Sequence, residues 1–475
     1  MHIDELDRTD ADDGSVNTPA DDLPRRSRRT RRNVVVGLVL AIVLLAAASL
    51  GVTRDRSTGE EITTSATGPV IAASEVARAA NPNPETLDEL IENLRIRVEG
   101  VPGDFVAWAT LGIAYVQQAK ATVDPSFYAR ADGALAESLE LDDEQNFLAF
   151  AGLSILASAR HEFSLAEDHA ERGLEINAFN PTLYGAVSDA RLQLGEYDAA
   201  QEAAQRMNEL EPATPALARL SYLAELRGEV ELATRFMSDA ADAAFLASDR
   251  SFALFQLGEL AFNEGDALGA LELYNDALAA VPDDPQALAG KARALAVVGQ
   301  EDTAVALYDD LVRRAPEPAY VAAYGELLES LGRTDEAEQQ YAVVEATRAL
   351  FAANGVEPDA EPILFEANHG DPAAALAEAE AGVESRPFLA MYDAYAWSLY
   401  RSGRFDDALV AIDRALATGY RNASFLYHSG MIKAALGDTG GAIADLSAAL
   451  DLNPHFHPLA ATEAADTLAS LRADS

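Results

Sequence analysis

The feature that most constrains the fold is an alanine that returns ten times along the chain at nearly constant spacing. The intervals between successive alanines run from 33 to 38 residues. The ten positions are Ala131, Ala166, Ala200, Ala233, Ala270, Ala304, Ala337, Ala375, Ala408 and Ala442. A small residue held in phase at this period predicts a helical hairpin repeated in tandem. We expect the alanine early in the second helix, where a longer side chain would push the two helices apart.

A glycine stands five residues before eight of these alanines. The glycines are Gly195, Gly228, Gly265, Gly299, Gly332, Gly370, Gly403 and Gly437, and the first two units lack one. We expect each to end the first helix of its hairpin, because glycine adopts the left-handed backbone conformation at little cost. The predicted fold class is therefore all-α, a right-handed α-solenoid of about ten tandem helix-turn-helix repeats.

The residues around these markers resemble the tetratricopeptide repeat. The unit that begins at Ser251 carries the two-helix pattern in Leu254, Leu257, Gly258, Ala261, Ala270, Tyr274, Ala277 and Pro282. The first unit has the family's tryptophan, in Trp108, Leu111, Gly112 and Tyr115. The resemblance covers roughly residues 104–454, and it implies a surface that binds other proteins and does not catalyse a reaction.

Two segments beside the repeats are predicted to cap them, because a solenoid needs its end faces covered. Residues 85–103 begin with an amphipathic helix, and residues 458–475 are predicted to form the matching C-terminal helix and tail. The array itself is predicted over residues 104–457. The stretches 241–250 and 345–362 exceed the period by a few residues, so we expect the stack to be distorted there.

An apolar segment precedes the array. Residues 34–52 contain no charged side chain over 19 positions, enough for a transmembrane helix. Six arginines precede the segment closely and two follow it, a bias that places the N-terminus in the cytoplasm and the array on the extracytoplasmic side. Residues 1–33 are predicted to be a disordered tail with an arginine cluster, and residues 53–84 a flexible linker.

A cleavable export signal is the alternative to this anchor. The triplet Ala46-Ala47-Ala48 is a plausible cleavage site, and residues 30–35 loosely match a twin-arginine motif. The apolar run continues past the alanines to Val52, which favours an anchor that is retained. Both interpretations export the array.

The charge of the chain restricts its partners. The net charge is −43, and all but one unit of it lies beyond residue 52. Such a surface repels phosphate backbones, so nucleic acid is not expected as a partner. Basic or aromatic-rich protein segments are the natural complement. The same acidity also fits a saline habitat or a solubility requirement.

Patterns that carry chemistry are not found. The chain has no cysteine, so thiolate catalysis and cysteine metal sites are impossible. His161-Glu162 opens like a zinc-protease helix, but Leu165 stands where the second histidine belongs. Gly290-Lys291 lacks the rest of a phosphate loop. We therefore predict no catalytic residue, no metal site and no cofactor.

The remaining candidate site is the concave groove of the solenoid. First-helix residues that do not pack within their own hairpin are predicted to face it and to bind a protein or peptide partner. The candidates are Tyr222, Phe252, Phe255, Glu259, Phe262, Arg293, Trp397, Tyr400, Arg401 and Tyr427. The predicted function is a membrane-anchored interaction scaffold. The first alternative is a structural spacer without a dedicated ligand. The second is an exported assembly factor or enzyme.

Overall fold

The computed structural model describes residues 84–473, and over these residues the chain forms 22 helices and no strand. In chain order the helices are α1 Pro84–Gly100, α2 Phe105–Thr122, α3 Phe127–Leu141, α4 Phe147–Ala159, α5 Phe163–Ile176, α6 Pro181–Gln193, α7 Tyr197–Leu210, α8 Thr214–Glu225, α9 Val230–Ala243, α10 Ala247–Asn263, α11 Ala267–Ala280, α12 Pro285–Val297, α13 Glu301–Arg314, α14 Pro318–Ser330, α15 Thr334–Ala353, α16 Ala360–His369, α17 Pro372–Ser385, α18 Leu389–Arg401, α19 Phe405–Ala415, α20 Ala423–Ala435, α21 Thr439–Leu452 and α22 Ala460–Ala473.

Helices α2 to α21 form ten successive hairpins, numbered here as repeats 1 to 10. Each helix packs closely against the next one along the chain except at α15 and α16, which meet through the rings of Tyr341 and Phe365. The first helices of neighbouring repeats also touch in most cases. Helix α1 packs on α2 ahead of repeat 1, and α22 packs on α20 and α21 after repeat 10. The predicted all-α architecture of tandem repeats is confirmed.

Short polar residues and prolines begin many of the helices. The side chain of Asn180 accepts a hydrogen bond from the backbone N–H of Leu183 at 3.1 Å, and Pro181 follows as the first residue of α6. An N-cap acceptor satisfies one of the free N–H groups at a helix start, and proline fits the first turn because it has no N–H to lose. These local signals divide the chain into helices of about 13 residues.

The repeated alanines lie where the two helices of each hairpin touch. All ten are between 0% and 1% exposed. In several repeats a residue twelve positions earlier contacts the alanine directly: the Ser188 hydroxyl, for example, donates to the carbonyl of Ala200 at 2.9 Å. The alanine period therefore reports the closest approach of the paired helices, as predicted.

The turn glycines follow the prediction with one exception. Seven of the eight have φ between 73° and 82°. Gly370 instead has φ −116°, because the carboxylate of Glu366 fills this turn and accepts the backbone N–H of Asp371 at 2.7 Å. The left-handed stop predicted at Gly370 is wrong. In repeat 2, His161 takes the glycine's place at φ 65°.

Repeats far apart in sequence also touch, through backbone and side-chain hydrogen bonds between successive turns of the superhelix. The bonds join His161 Nδ1 to the carbonyl of Glu357 at 2.8 Å, the Leu389 N–H to the Tyr197 hydroxyl at 2.9 Å, and Asn453 Nδ2 to the carbonyl of Phe262 at 2.7 Å. The partners are 196, 192 and 191 residues apart. Repeat 2 thus meets the start of repeat 8, repeat 3 meets repeat 9, and repeat 5 meets the chain that follows repeat 10.

Apolar packing accompanies these bonds. Leu192 and Leu220 share one hydrophobic cluster with Phe388 and Phe425 from the later repeats. Val356, from the loop between α15 and α16, packs into the core formed by α1 and repeat 1. This loop belongs to the predicted irregular stretch 345–362, and its extra residues reach across to the first turn.

Three predicted segments lie outside the described residues: the tail 1–33, the membrane helix 34–52 and the linker 53–84, apart from Pro84. Within residues 84–473, no helix has both the length and the apolar character needed to cross a membrane.

Candidate partner-binding surface

The inner face of the central repeats carries one side chain at the same position of each first helix. This is the residue that follows the one packed on the repeat alanine. It is Tyr222 in repeat 4, Glu259 in repeat 5, Arg293 in repeat 6 and Glu326 in repeat 7. The first helices of repeats 4, 5 and 6 pack side by side, so Tyr222, Glu259 and Arg293 form one row along the inner face. Glu326 lies near the repeat 6 end of this row, where Tyr308 interacts electrostatically with both Arg293 and Glu326.

Glu259 and Arg293 form the centre of this row. The Arg293 guanidinium donates to both carboxylate oxygens of Glu259 at 2.6 and 2.7 Å, and it lies 4.1 Å from the ring centre of Phe262. The Tyr274 hydroxyl donates to the same carboxylate at 2.5 Å. Burial lowers the pKa of Arg293, but the Glu259 carboxylate outweighs it and the net shift is upward. The Arg293 guanidinium is therefore charged at any physiological pH.

Among the described residues, two glutamates beside this pair form no ion pair of their own. Burial raises the pKa of Glu225 to about 7, and the nearby carboxylates of Glu259 and Glu264 raise it as well, although Asn263 donates to it. Burial also raises the pKa of Glu361 to about 7, together with Asp359, Glu259 and other acids. The Glu361 side chain itself is exposed to solvent.

The pKa of Glu326 is shifted in the opposite direction, downward, by two imidazoles. His369 Nε2 lies 3.3 Å from one carboxylate oxygen, and His457 Nε2 lies 3.2 Å from the other. Burial raises the pKa of Glu326, but the two histidines lower it to a net value of about 2. Among the described residues, no group of three or more histidine and acidic side chains is arranged to hold a metal ion.

The ten predicted groove residues fall into different environments. Phe255, Phe262, Trp397 and Tyr427 are buried in the core at 2% to 3% exposure, and Glu259 is 8% exposed. Tyr222, Phe252, Arg293 and Tyr400 are half-buried, and Arg401 is exposed. The four buried rings have a packing role in this structure. Their role in binding a partner stays a prediction.

The structure brings the predicted residues together in two main groups. Phe262, Glu259 and Arg293 meet in repeats 5 and 6, as described above. Trp397 stacks on Tyr400 at 4.7 Å between ring centres and lies 5.4 Å from Tyr427. The Trp397 indole N–H also donates to Asn368 at 2.8 Å.

Sequence reasoning missed the residues that face this row from other parts of the chain. Glu361 stands one turn away in repeat 8, and His457 stands in the segment after repeat 10. No periodic signal marks either residue, because both approach the inner face through long-range closure of the superhelix.

Comparison with known families identifies the type of repeat. Residues 261–327 and 394–455 match family models of the tetratricopeptide repeat. The chain is a multi-repeat tetratricopeptide-repeat protein. The predicted resemblance is thus confirmed, and such repeats build scaffolds for protein–protein interaction.

Similarity to individual proteins is low. The structure of the APC/C hetero-tetramer Cut9-Hcn1 is 15% identical, with 84% of this chain and 83% of that chain covered and a TM-score of 0.39. PilF of Pseudomonas aeruginosa is 17% identical over 45% of this chain and 92% of its own, with a TM-score of 0.35. A tetratricopeptide repeat protein from Parabacteroides merdae is 17% identical over 55% and 98%, with a TM-score of 0.31. No curated protein sequence matches the chain.

Proposed function

We propose that this protein is a membrane-anchored scaffold that displays its repeats on the extracytoplasmic side and binds a basic protein segment on its inner face. The observation that supports this most directly is the pair of glutamates that form no ion pair among the described residues, Glu225 and Glu361, beside a row of inner-face side chains. Each would lose its unfavourable environment if a lysine or arginine of a partner lay next to it. No catalytic step is part of the proposal.

The membrane part of the proposal comes from the sequence alone. The apolar stretch 34–52 and the arginine excess before it support an anchor with the N-terminus in the cytoplasm. Protease added to intact spheroplasts should digest the repeats and leave a short N-terminal fragment protected. Repeats that resist digestion until the cells are lysed would reverse the orientation.

Partner capture tests the binding part. The full-length chain, solubilised in detergent, serves as bait, beside a bait in which both inner glutamates are changed, Glu225→Gln and Glu361→Gln. A matched control bait carries Glu202→Gln and Glu272→Gln, two exposed acids on second helices, so both double variants have the same net charge. Proteins that bind the inner face should be retained by the wild type and the control and lost from the inner-face variant.

Salt adds a second criterion to this experiment. Attraction between exposed charges is screened over about 8 Å at physiological ionic strength, so capture should weaken as salt rises. Equal loss from both double variants would show that only overall charge matters. Proteins retained equally by all three baits would place binding elsewhere on the surface.

A structural spacer is the second candidate. The burial of Phe255, Phe262, Trp397 and Tyr427 favours it, because rings packed in the core are not available as anchors. A spacer would retain no protein in the capture experiment at any salt concentration.

A further inference from the structure

The segment after repeat 10 does not leave the array at its end but runs back across the inner face. Asn453, which is 3% exposed, donates from Nδ2 to the carbonyl of Phe262 in repeat 5 at 2.7 Å. The ring of Phe456 lies 5.7 Å from that of Tyr427 in repeat 10. His457 reaches Glu326 in repeat 7. Five residues thus touch three repeats.

His457 joins this segment to the inner row by both of its ring nitrogens. Nε2 faces the Glu326 carboxylate at 3.2 Å, while Nδ1 accepts the backbone N–H groups of Leu459 and Ala460, each at 3.2 Å. The second pair of contacts caps the start of α22, where N–H groups lack partners within the helix. One imidazole therefore both begins the last helix and fixes it to repeat 7.

Several ionisable groups surround His457. Glu326 and Glu329 of α14 are the charges that raise its pKa against the lowering effect of burial. His369 of α16 shares the Glu326 carboxylate, and Glu361 of the same helix interacts with it electrostatically. An imidazole thus occupies the place that a partner's cationic group would take beside these acids.

The segment is joined to repeats 5 and 7 by a hydrogen bond and an ion pair, whereas the helix contacts of α22 are with α20 and α21 of repeat 10. The last helix adds to the core there through Ala464 and Leu468. Breaking the bonds of Asn453 and His457 would therefore free the crossing segment while the core of repeat 10 keeps its helices. An element attached in this way can open locally at a lower free energy than the whole array unfolds.

We propose that residues 453–459 form a latch on the inner face of repeats 5 to 7, with His457 on Glu326 as its fastening, and that a basic partner segment displaces it to reach Glu326. The latch rests on the proposed function for the identity of the partner. Its existence as a movable element is independent of any partner, and so is the experiment that tests it.

Spin labels on the full-length chain measure the position of the latch. Since the protein has no cysteine, labels attach only at introduced cysteines. Pro458→Cys in the latch and Glu338→Cys on α15 give two exposed sites. The background is wild type or carries His457→Asn, which keeps a capping side chain but is too short to reach Glu326. His455→Asn, at an exposed neighbour, is the matched control.

The wild type and His455→Asn should give one narrow distance distribution. His457→Asn should add a longer, broader population, with circular dichroism showing unchanged helical content. Glu326→Ala, which alters the other side of the contact and leaves the α22 cap in place, should give the same second population. A narrow, unchanged distribution in His457→Asn and Glu326→Ala overturns the latch. Equal broadening in His455→Asn overturns it as well, since the loosening would then not depend on the fastening.

Discussion

At the scale of single residues, the fold depends on positions where the volume of the side chain decides whether two helices can pack together. The repeat alanines have no space around their methyl groups, and the aromatic residues between them fill the volume that the hairpins leave open. Both kinds of residue are buried, but substitution destabilises the fold for opposite reasons. A larger side chain does so at an alanine, and a smaller one does so at a ring.

Ala304→Leu should destabilise the array. Its side chain is 0% exposed between α12 and α13, and overpacking of a filled core typically costs about 1–3 kcal/mol. Ala306→Leu, on the same helix at an exposed position, is the matched control and should change stability by less than about 0.5 kcal/mol. Urea denaturation followed by circular dichroism measures both. Equal effects would mean that the period does not mark the helix contact.

Trp397→Ala should lower the melting temperature markedly. The indole is 3% exposed and stacks on His428 at 4.2 Å, and truncating a buried aromatic ring typically costs about 3–5 kcal/mol. Phe245→Ala, at a ring that is 95% exposed, should leave the melting temperature nearly unchanged. A variant Trp397→Ala that melts like the wild type would return this ring to the list of candidate anchors.

At the scale of elements, the turn between the two helices of a repeat has two functions in this protein. In every repeat it reverses the chain. In repeats 3 to 5 it also contacts the next turn of the superhelix. A methyl group added at Gly228 would lie 2.4 Å from the carbonyl oxygen of Gly419, whereas around Gly403 nothing lies within 4 Å.

This difference gives a controlled comparison. Gly228 and Gly403 have φ of 73° and 75°, so Gly228→Ala and Gly403→Ala share the same backbone penalty of about 1–2 kcal/mol. Gly228→Ala should lose additional stability, because its methyl group pushes the two turns apart. Thermal unfolding of the two variants, run side by side, measures the excess. Equal losses would mean that repeats 4 and 10 are not in contact in solution.

The hairpins were predictable from sequence, and the contact between turns was not. Ala270 and Gly265 belong to a residue pattern that repeats about every 34 residues, because the two helices pack in the same way in every hairpin. The contacts between turns, such as His161 with Glu357 and Tyr197 with Leu389, each occur once. They therefore produce no periodic pattern in the sequence. The inner face was predicted in part: Glu259 and Arg293 follow from helix position, but Glu361 and His457 reach it only through closure of the superhelix.

At the scale of the whole molecule, closure concentrates negative charge inside the array. Burial, assisted by neighbouring carboxylates, raises the pKa values of Glu225 and Glu361 from 4.5 to about 7. The folded state therefore binds these protons more tightly than the unfolded state does. Stability contributed by these two groups is highest below about pH 4.5 and falls as the pH rises toward about 7, because the unfolded chain loses its protons first.

Glu225→Gln should remove part of this pH dependence. The amide keeps the shape of the side chain and carries no charge, so the variant should melt at a higher temperature than the wild type near pH 8. As the pH falls below about 4.5 the two curves should converge, since Glu225 is then protonated in both the folded and the unfolded wild type. Glu202→Gln, at an exposed acid, controls for net charge. A difference that is constant across the pH range would contradict the raised pKa.

The central claim is that successive turns of the superhelix touch at an offset of six repeats, because the inner face and the latch both depend on it. Arg421 and Glu264, 157 residues apart, form an ion pair at 3.0 Å across this contact. Cysteines at both positions, in an otherwise cysteine-free chain, allow a short bismaleimide to report their proximity. The pair Glu336→Cys and Arg421→Cys, from a turn with no later turn beside it, is the control.

Glu264→Cys with Arg421→Cys should form an intramolecular cross-link in high yield at low protein concentration, identified by mass spectrometry of the joined peptides. The control pair should remain unlinked under the same conditions. An open array, in which neither pair is linked, would contradict closure of the superhelix and with it the confined inner face.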